Sequence, residues 1–200
     1  VGDFTVQFAY SVPDAVGVTK DAKGKDILQL VVPLLSGFRY PIQELTLHPR
    51  VRKAFYAGDV DMEAFRYCLA HSNAPVCYNG NLNSLDDIAA FSAQFPQIEA
   101  VMLGRGLIGD PGMLTTCGTT KESLKAFADE LLEDYIETFG GARNAMFRMK
   151  ENWGFLRHRF QDSERLWKQL RKTTDVSEYR SITAEFFATL PLADKLQADW

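Results

Sequence analysis

The sequence predicts an α/β fold with a parallel sheet over about the first 115 residues, followed by an all-helical region. Two observations carry this. Short β-branched and aromatic runs alternate with helix-length amphipathic segments as far as Leu103, and beyond residue 115 no β-like run appears. A third is the charge, which separates along the same line. The segment Arg143 to Lys172 holds nine Lys/Arg against three acids, a net of +6, so in a chain of net charge -4 the remainder carries -10. An acidic body with a basic end is the footprint of an enzyme-like body joined to a polyanion-binding surface, or of a locally basic solvated face.

The first strand is Phe4 to Tyr10, stopped by Pro13. A loop rich in Gly, Lys and Asp follows, and Asp26 is placed to cap a helix through Ile27, Leu30, Val31 and Leu34. Ile42 to His48 reads as the second strand, then a polar loop, then a helix capped by Asp59 or Asp61 and carrying Met62, Phe65 and Leu69. Ala74 to Tyr78 is the third strand, and Ser84-Leu-Asp-Asp87 opens a helix with Ile88, Phe91 and Phe95. Glu99 to Leu103 is the fourth. Parallel strands need crossovers of this length, so the four should lie side by side in chain order. The helical region reads as 121–139, 143–157, 163–172 and a last helix opened by Asp175.

Three strands end in segments suited to binding: His48-Pro49-Arg50, Asn79-Gly80-Asn81 and Gly104-Arg105-Gly106. Ligands of parallel α/β folds bind at the carboxyl ends of strands, so these turns point to one common site. Phosphate capture fits their chemistry, because glycine admits close approach of backbone N–H groups and a guanidinium grips phosphate oxygens. Each alone has a plainer reading: Asn79-Gly80 as a turn, His48 as a structural histidine, Arg50 as a solvated side chain. Three scattered cysteines, Cys68, Cys77 and Cys117, suit reduced thiols rather than a disulfide framework or a zinc site. No apolar run of about 18 residues occurs, so no membrane span is expected, and the composition suits a cytoplasmic protein.

Taken in order, Glu44-Leu-Thr-Leu-His48-Pro-Arg50, Tyr56-Ala-Gly58, Pro75-Val-Cys-Tyr-Asn79-Gly80-Asn-Leu and Val101-Met-Leu-Gly104-Arg105-Gly106-Leu-Ile-Gly-Asp-Pro111 resemble the second half of a tRNA-dihydrouridine synthase. The helical tail, with Arg148, Lys150, Trp153 and Arg157, resembles that family's terminal domain more loosely. The resemblance implies a partial (β/α)8 TIM barrel, about strands 5 to 8, over residues 1–117, and a helical tRNA-binding domain over 118–200. It implies reduction of a tRNA uridine to 5,6-dihydrouridine with FMN recharged by NADPH. It places His48, Asn79, Gly80, Asn81, Gly104 and Arg105 on the flavin and Arg50 near the substrate pocket, while the charge split makes Arg148, Lys150, Arg157 and Arg159 the expected contacts to tRNA phosphates.

The sequence also departs from that family. Gln7 and Ala9 stand where the fifth strand of the family carries lysine and arginine, and a neutral amide cannot give the cationic contact to a flavin. The family's catalytic cysteine belongs to an earlier loop; Cys68, Cys77 and Cys117 do not match it, so no catalytic acid is assigned. Half a barrel also leaves open edges, which points to a missing amino-terminal half or a second subunit as partner. Two other readings stay open: a non-catalytic tRNA-binding module with a degenerate half barrel, and a different phosphate-binding barrel whose basic tail is merely solvated.

Overall fold

The computed structural model describes residues 44–50 and 59–197. The expected strand Phe4 to Tyr10, with Gln7 and Ala9, and the helix after Asp26 lie outside the described residues. The described residues divide into two compact units, one of 44–50, 59–81 and 90–102, the other of 82–89 and 103–197.

The first unit holds a three-stranded sheet of β1 (Leu45–Leu47), β2 (Val76–Asn79) and β3 (Ala100–Met102), in that order. Both pairings are parallel. Leu47 lies opposite Tyr78 and Asn79 opposite Met102. Three of the four expected strands are thus present, adjacent and in chain order. Asn79, expected in a turn, instead closes β2, paired with Met102 in the parallel ladder, and its side-chain Nδ2 also donates to the Met102 carbonyl at 3.0 Å. Helix α1 (Met62–His71) joins β1 to β2. Asp61 caps it, accepting from the Ala64 amide at 2.9 Å, which satisfies one of the orphan donors of the first turn.

The core of this unit is aromatic. Phe65 of α1 meets Tyr78 edge-on at 4.9 Å and Phe95 at 5.2 Å, while Tyr78 stacks on Phe91 at 4.0 Å. Phe91 lies in α2 (Leu85–Gln94), and Phe95 just beyond it. Period-four spacing puts both rings on one helix face, and burial of such rings is the main source of stability here.

The second unit, besides residues 82–89, runs from Leu103 and holds the short helix α3 (Arg105–Gly109). The sequence predicts only a glycine turn here. Four longer helices follow: α4 (Lys121–Phe139), α5 (Ala142–Leu156), α6 (Glu164–Lys172) and α7 (Val176–Thr189). Thr120 and Ser123 form a reciprocal capping box at the start of α4, and Gly140 ends it at φ 68°, a left-handed conformation that costs glycine nothing. Leu124, Ala128 and Leu132 of α4 pack against Met146, Met149 and Trp153 of α5, with Leu166, Leu170, Tyr179 and Phe186 completing the core. Trp153 is 1% exposed and its indole N–H donates to the Tyr179 hydroxyl at 3.0 Å, so the apolar ring is buried without orphaning its donor.

One pairing beyond residue 115 had no signature in the sequence. After α5 comes a 3-10 turn, Arg157–Arg159, and the chain past α7 returns along it: Phe160 and Leu192 form an antiparallel bridge. The Ala193 amide reaches the Arg159 carbonyl at 2.9 Å and the Gln197 amide the His158 carbonyl at 2.9 Å.

Candidate functional site

At the carboxyl end of the sheet the loop after β2 is braced by the residues that follow β1. His48 Nδ1 lies 2.8 Å from the Asn79 carbonyl. A carbonyl can only accept, so Nδ1 carries the proton, and in the neutral ring Nε2 is left as an acceptor on an exposed side chain. Arg50, only 8% exposed, donates from Nη2 to the Asn81 side-chain oxygen at 3.1 Å. The backbone beneath them is fixed as well: the Arg50 amide reaches the His48 carbonyl and the Asp61 amide the Pro49 carbonyl, both at 2.8 Å. His48 and Arg50 therefore hold the 79–81 loop, a positioning role that spacing alone did not suggest.

Gly80 is required sterically. A Cβ there would fall on the Tyr78 ring and hydroxyl. Burial raises the Tyr78 phenol above its ordinary pKa and nearby Arg50 pulls it partly back, so the ring under the loop is a neutral phenol at physiological pH.

In the second unit Gly104 is the exposed N-cap of α3, and among the described residues, its chain neighbours aside, nothing lies within 4 Å of where its Cβ would be. Its backbone is open to approach, while its carbonyl accepts the Leu107 and Ile108 amides at 3.0 and 3.1 Å. Arg105 follows, half-buried. Gly106 serves packing instead, since a Cβ would come 2.6 Å from the Leu82 carbonyl. Below α3, Asp110 accepts from the Thr119 hydroxyl and pairs with Arg159, Nε to Oδ1 3.5 Å.

The basic residues of the helical unit fall into two groups. Arg159 is buried, its Nη1 on the Ala193 carbonyl at 2.9 Å and its Nε near Asp110. Arg157, mostly buried, pairs with Glu164 and lies 5.4 Å over the Trp167 ring. These two join parts of their own unit. Arg148 is exposed, pairs with Glu151 at 3.1 Å and sits 5.6 Å over Phe139. Lys150 donates to the Thr173 carbonyl and lies 5.0 Å from the Phe147 ring; burial lowers its pKa, with Glu178 opposing. Arg143, Lys168, Arg171 and Lys172 are exposed, and no ion pair engages them among the described residues.

No nucleophilic or metal-binding cluster emerges from the described residues. No group of three or more His, Cys, Asp or Glu is placed to hold a metal among them. Cys68 and Cys77 are buried free thiols and Cys117 an exposed one. Burial and then the Asp61 charge push the Cys68 thiol to about 11, and burial raises Cys77 too, so both stay protonated and unreactive at neutral pH. Among the described residues no helix is long and apolar enough to cross a membrane.

Comparison with known proteins places this arrangement. Residues 36–195 match the family model for dihydrouridine synthase (Dus). The chain is similar to a tRNA-dihydrouridine(16) synthase of Neisseria meningitidis serogroup B, 26% identical over 152 residues, which cover 71% of this chain and 45% of that protein. It is also similar to a probable tRNA-dihydrouridine synthase of Rhizobium leguminosarum bv. phaseoli, 30% identical over 124 residues, 60% of this chain and 38% of the relative. A third relative, tRNA-dihydrouridine synthase B of Pasteurella multocida, is 29% identical over 70 residues, 35% of this chain and 21% of its own length. The chain thus spans less than half the length of these relatives. Since the family match runs through the strand-end loops and the helical unit alike, the chain belongs to the dihydrouridine synthase family.

Proposed function

We propose that this chain is the carboxy-terminal part of a flavin-dependent tRNA-dihydrouridine synthase, comprising about strands 5 to 8 of a (β/α)8 barrel and, from residue 118, a helical tRNA-binding domain. The observation that carries the reading is the family match over residues 36–195, which includes both the loops at the strand ends and the cationic helices. When bound, FMN reduced by NADPH would supply the hydride that, together with a proton, turns a tRNA uridine into dihydrouridine. Asn79, Gly80, Asn81, Gly104 and Arg105 would hold the flavin, with His48 as a further contact.

The residues suit a phosphate-bearing cofactor. Among the described residues no other side chain comes close to the Gly104 Cβ position, and Arg105 follows it directly. The register of Asn79 with Met102 brings the ends of β2 and β3 to the same edge of the sheet, the end at which parallel folds bind ligands. His48, with Nε2 left as an acceptor, can receive a hydrogen bond from a ligand while its other nitrogen braces the loop.

For tRNA, the burial pattern favours Arg148, Arg143, Lys168, Arg171 and Lys172 as phosphate contacts over Arg157 and Arg159. Mobile exposed cations neutralise a phosphodiester backbone at little cost, whereas a buried, paired guanidinium would have to leave its partners. Lys150 borders the exposed group. The protein would work in the cytoplasm, with tRNA as substrate and the amino-terminal half of the barrel, or a second subunit, as structural partner.

Gln7 and Ala9, in place of the family's lysine and arginine, favour a second reading: a tRNA-binding module whose half barrel no longer holds flavin. The absorption spectrum of the purified protein, measured beside its tRNA affinity, separates the two. Flavin bands released as FMN on denaturation, with tRNA binding, are expected for the synthase. A colourless protein that takes up no added FMN yet binds tRNA would replace it with the module, and absence of both would overturn both.

A further inference from the structure

Helix α5 turns one stripe to the core and another to solvent. Ala145, Met146, Met149, Trp153 and Leu156 are buried. At about 100° per residue, Arg143, Phe147 and Lys150 form a separate stripe at i, i+4 and i+7, turned away from that core. Phe147 is 43% exposed, more than Phe127 at 36% or Phe139 at 38%, whereas Trp153, Phe160, Tyr179 and Phe186 of the same unit are buried. A solvent-facing ring gains nothing from the core, so packing does not account for it.

Its neighbours are cationic. The Lys150 ammonium stands 5.0 Å from the ring centroid and is tethered to the Thr173 carbonyl at the end of α6; the Arg143 guanidinium stands 6.0 Å away, at the limit of useful cation–π attraction. Next to them Arg148 covers Phe139, itself 38% exposed. Arg171 and Lys172, just before Thr173, are exposed as well. The surface therefore combines a partly exposed aromatic ring with cations beside it. An aromatic platform flanked by positive charge accepts an unpaired nucleobase on the ring and its phosphates on the cations.

We infer that Phe147 is a stacking platform for an unpaired base of the bound tRNA, with Arg143 moving from the ring to a phosphate and Lys150 remaining as the fixed edge of the site. This rests on the tRNA-binding reading above and adds a contact that discriminates unpaired from duplex RNA.

The test uses the full chain and its Phe147→Ala, Phe147→Leu and Phe147→Tyr variants, with folding checked by circular dichroism. Affinity is measured across a salt series for tRNA and for a blunt-ended RNA duplex. Phe147→Ala and Phe147→Leu should weaken tRNA binding about tenfold, with the slope of log affinity against log salt unchanged because no charge is removed. Phe147→Tyr should stay within about twofold of the parent, since it keeps the aromatic face. Duplex binding should not respond to any of the three. Equal affinities of parent and Phe147→Ala for tRNA, or equal losses on tRNA and duplex, would overturn the platform while leaving tRNA binding intact. A parent chain that binds no tRNA would overturn the functional reading itself, and the platform with it.

Discussion

Replacing Arg159 by Met separates a structural cation from a tRNA contact. The Arg159 side chain is 7% exposed and that of Asp110 12%, so water does little to relieve either charge when its partner is lost. Methionine fills much of the same volume but leaves the Asp110 carboxylate with the Thr119 hydroxyl and strips the Ala193 carbonyl of its charged donor at 2.9 Å. Breaking a buried pair by removing one partner costs about 3–5 kcal/mol, and the 3.5 Å separation puts this pair at the lower end, about 3 kcal/mol. With a urea m-value of about 2 kcal/mol/M, the unfolding midpoint should fall by about 1.5 M. Adding Asp110→Asn removes the stranded charge and should restore about half of the loss. Under folding conditions the salt slope of tRNA binding should not change, whereas Lys168→Gln or Arg171→Gln should each flatten it by about one counterion. A variant within about 1 kcal/mol of the parent in stability, with a slope flatter by one, would refute the assignment of Arg159 to the interior.

Three further outcomes follow from local geometry. Gly106→Ala should destabilise by about 2 kcal/mol, because its Cβ meets the Leu82 carbonyl, while Gly154→Ala, whose nearest neighbour is the Trp167 ring at 3.8 Å, should stabilise by about 0.5–1 kcal/mol; thermal unfolding of the pair checks the opposite signs. A double-mutant cycle on Trp153→Phe and Tyr179→Phe should give a coupling of about 1 kcal/mol for the buried hydrogen bond, and a coupling near zero would remove it from the core's account. Native alkylation at neutral pH, read by mass spectrometry, should modify the exposed Cys117 and spare Cys68. Because the folded Cys68 thiol lies at about 11 against an ordinary 9.0, its protonated form favours the fold at neutral pH, and that contribution fades as pH rises from 9.0 through 11.

Local patterns made much of the fold legible. The short strand-like runs at Leu45–Leu47, Val76–Asn79 and Ala100–Met102 and the capping residues Asp61 and Asp175 each act over a few residues, so spacing suffices to find them. Features that depend on distant contacts were hidden. Asn79 has turn chemistry by type, and its pairing with Met102 across the sheet makes it a strand residue. Gly104-Arg105-Gly106 reads as a loop until Gly106 is seen packed against Leu82. Arg159 counts as one more positive charge in the sequence, and only Asp110 and the returning 191–197 segment bury it. The strand-end residues were found by type, but the bracing of the 79–81 loop by His48 and Arg50 requires three dimensions. Phe147 carries a signal in the sequence, since it falls out of phase with the apolar stripe of its helix, which buries Trp153.

The most direct test of the central claim is the dihydrouridine content of tRNA, mapped by mass spectrometry, from cells with and without the coding sequence of this chain. The account predicts that deletion abolishes dihydrouridine at a specific tRNA position and that re-expression of the parent gene restores it. Identical dihydrouridine maps in the two strains would contradict a role in uridine reduction and leave only the binding module.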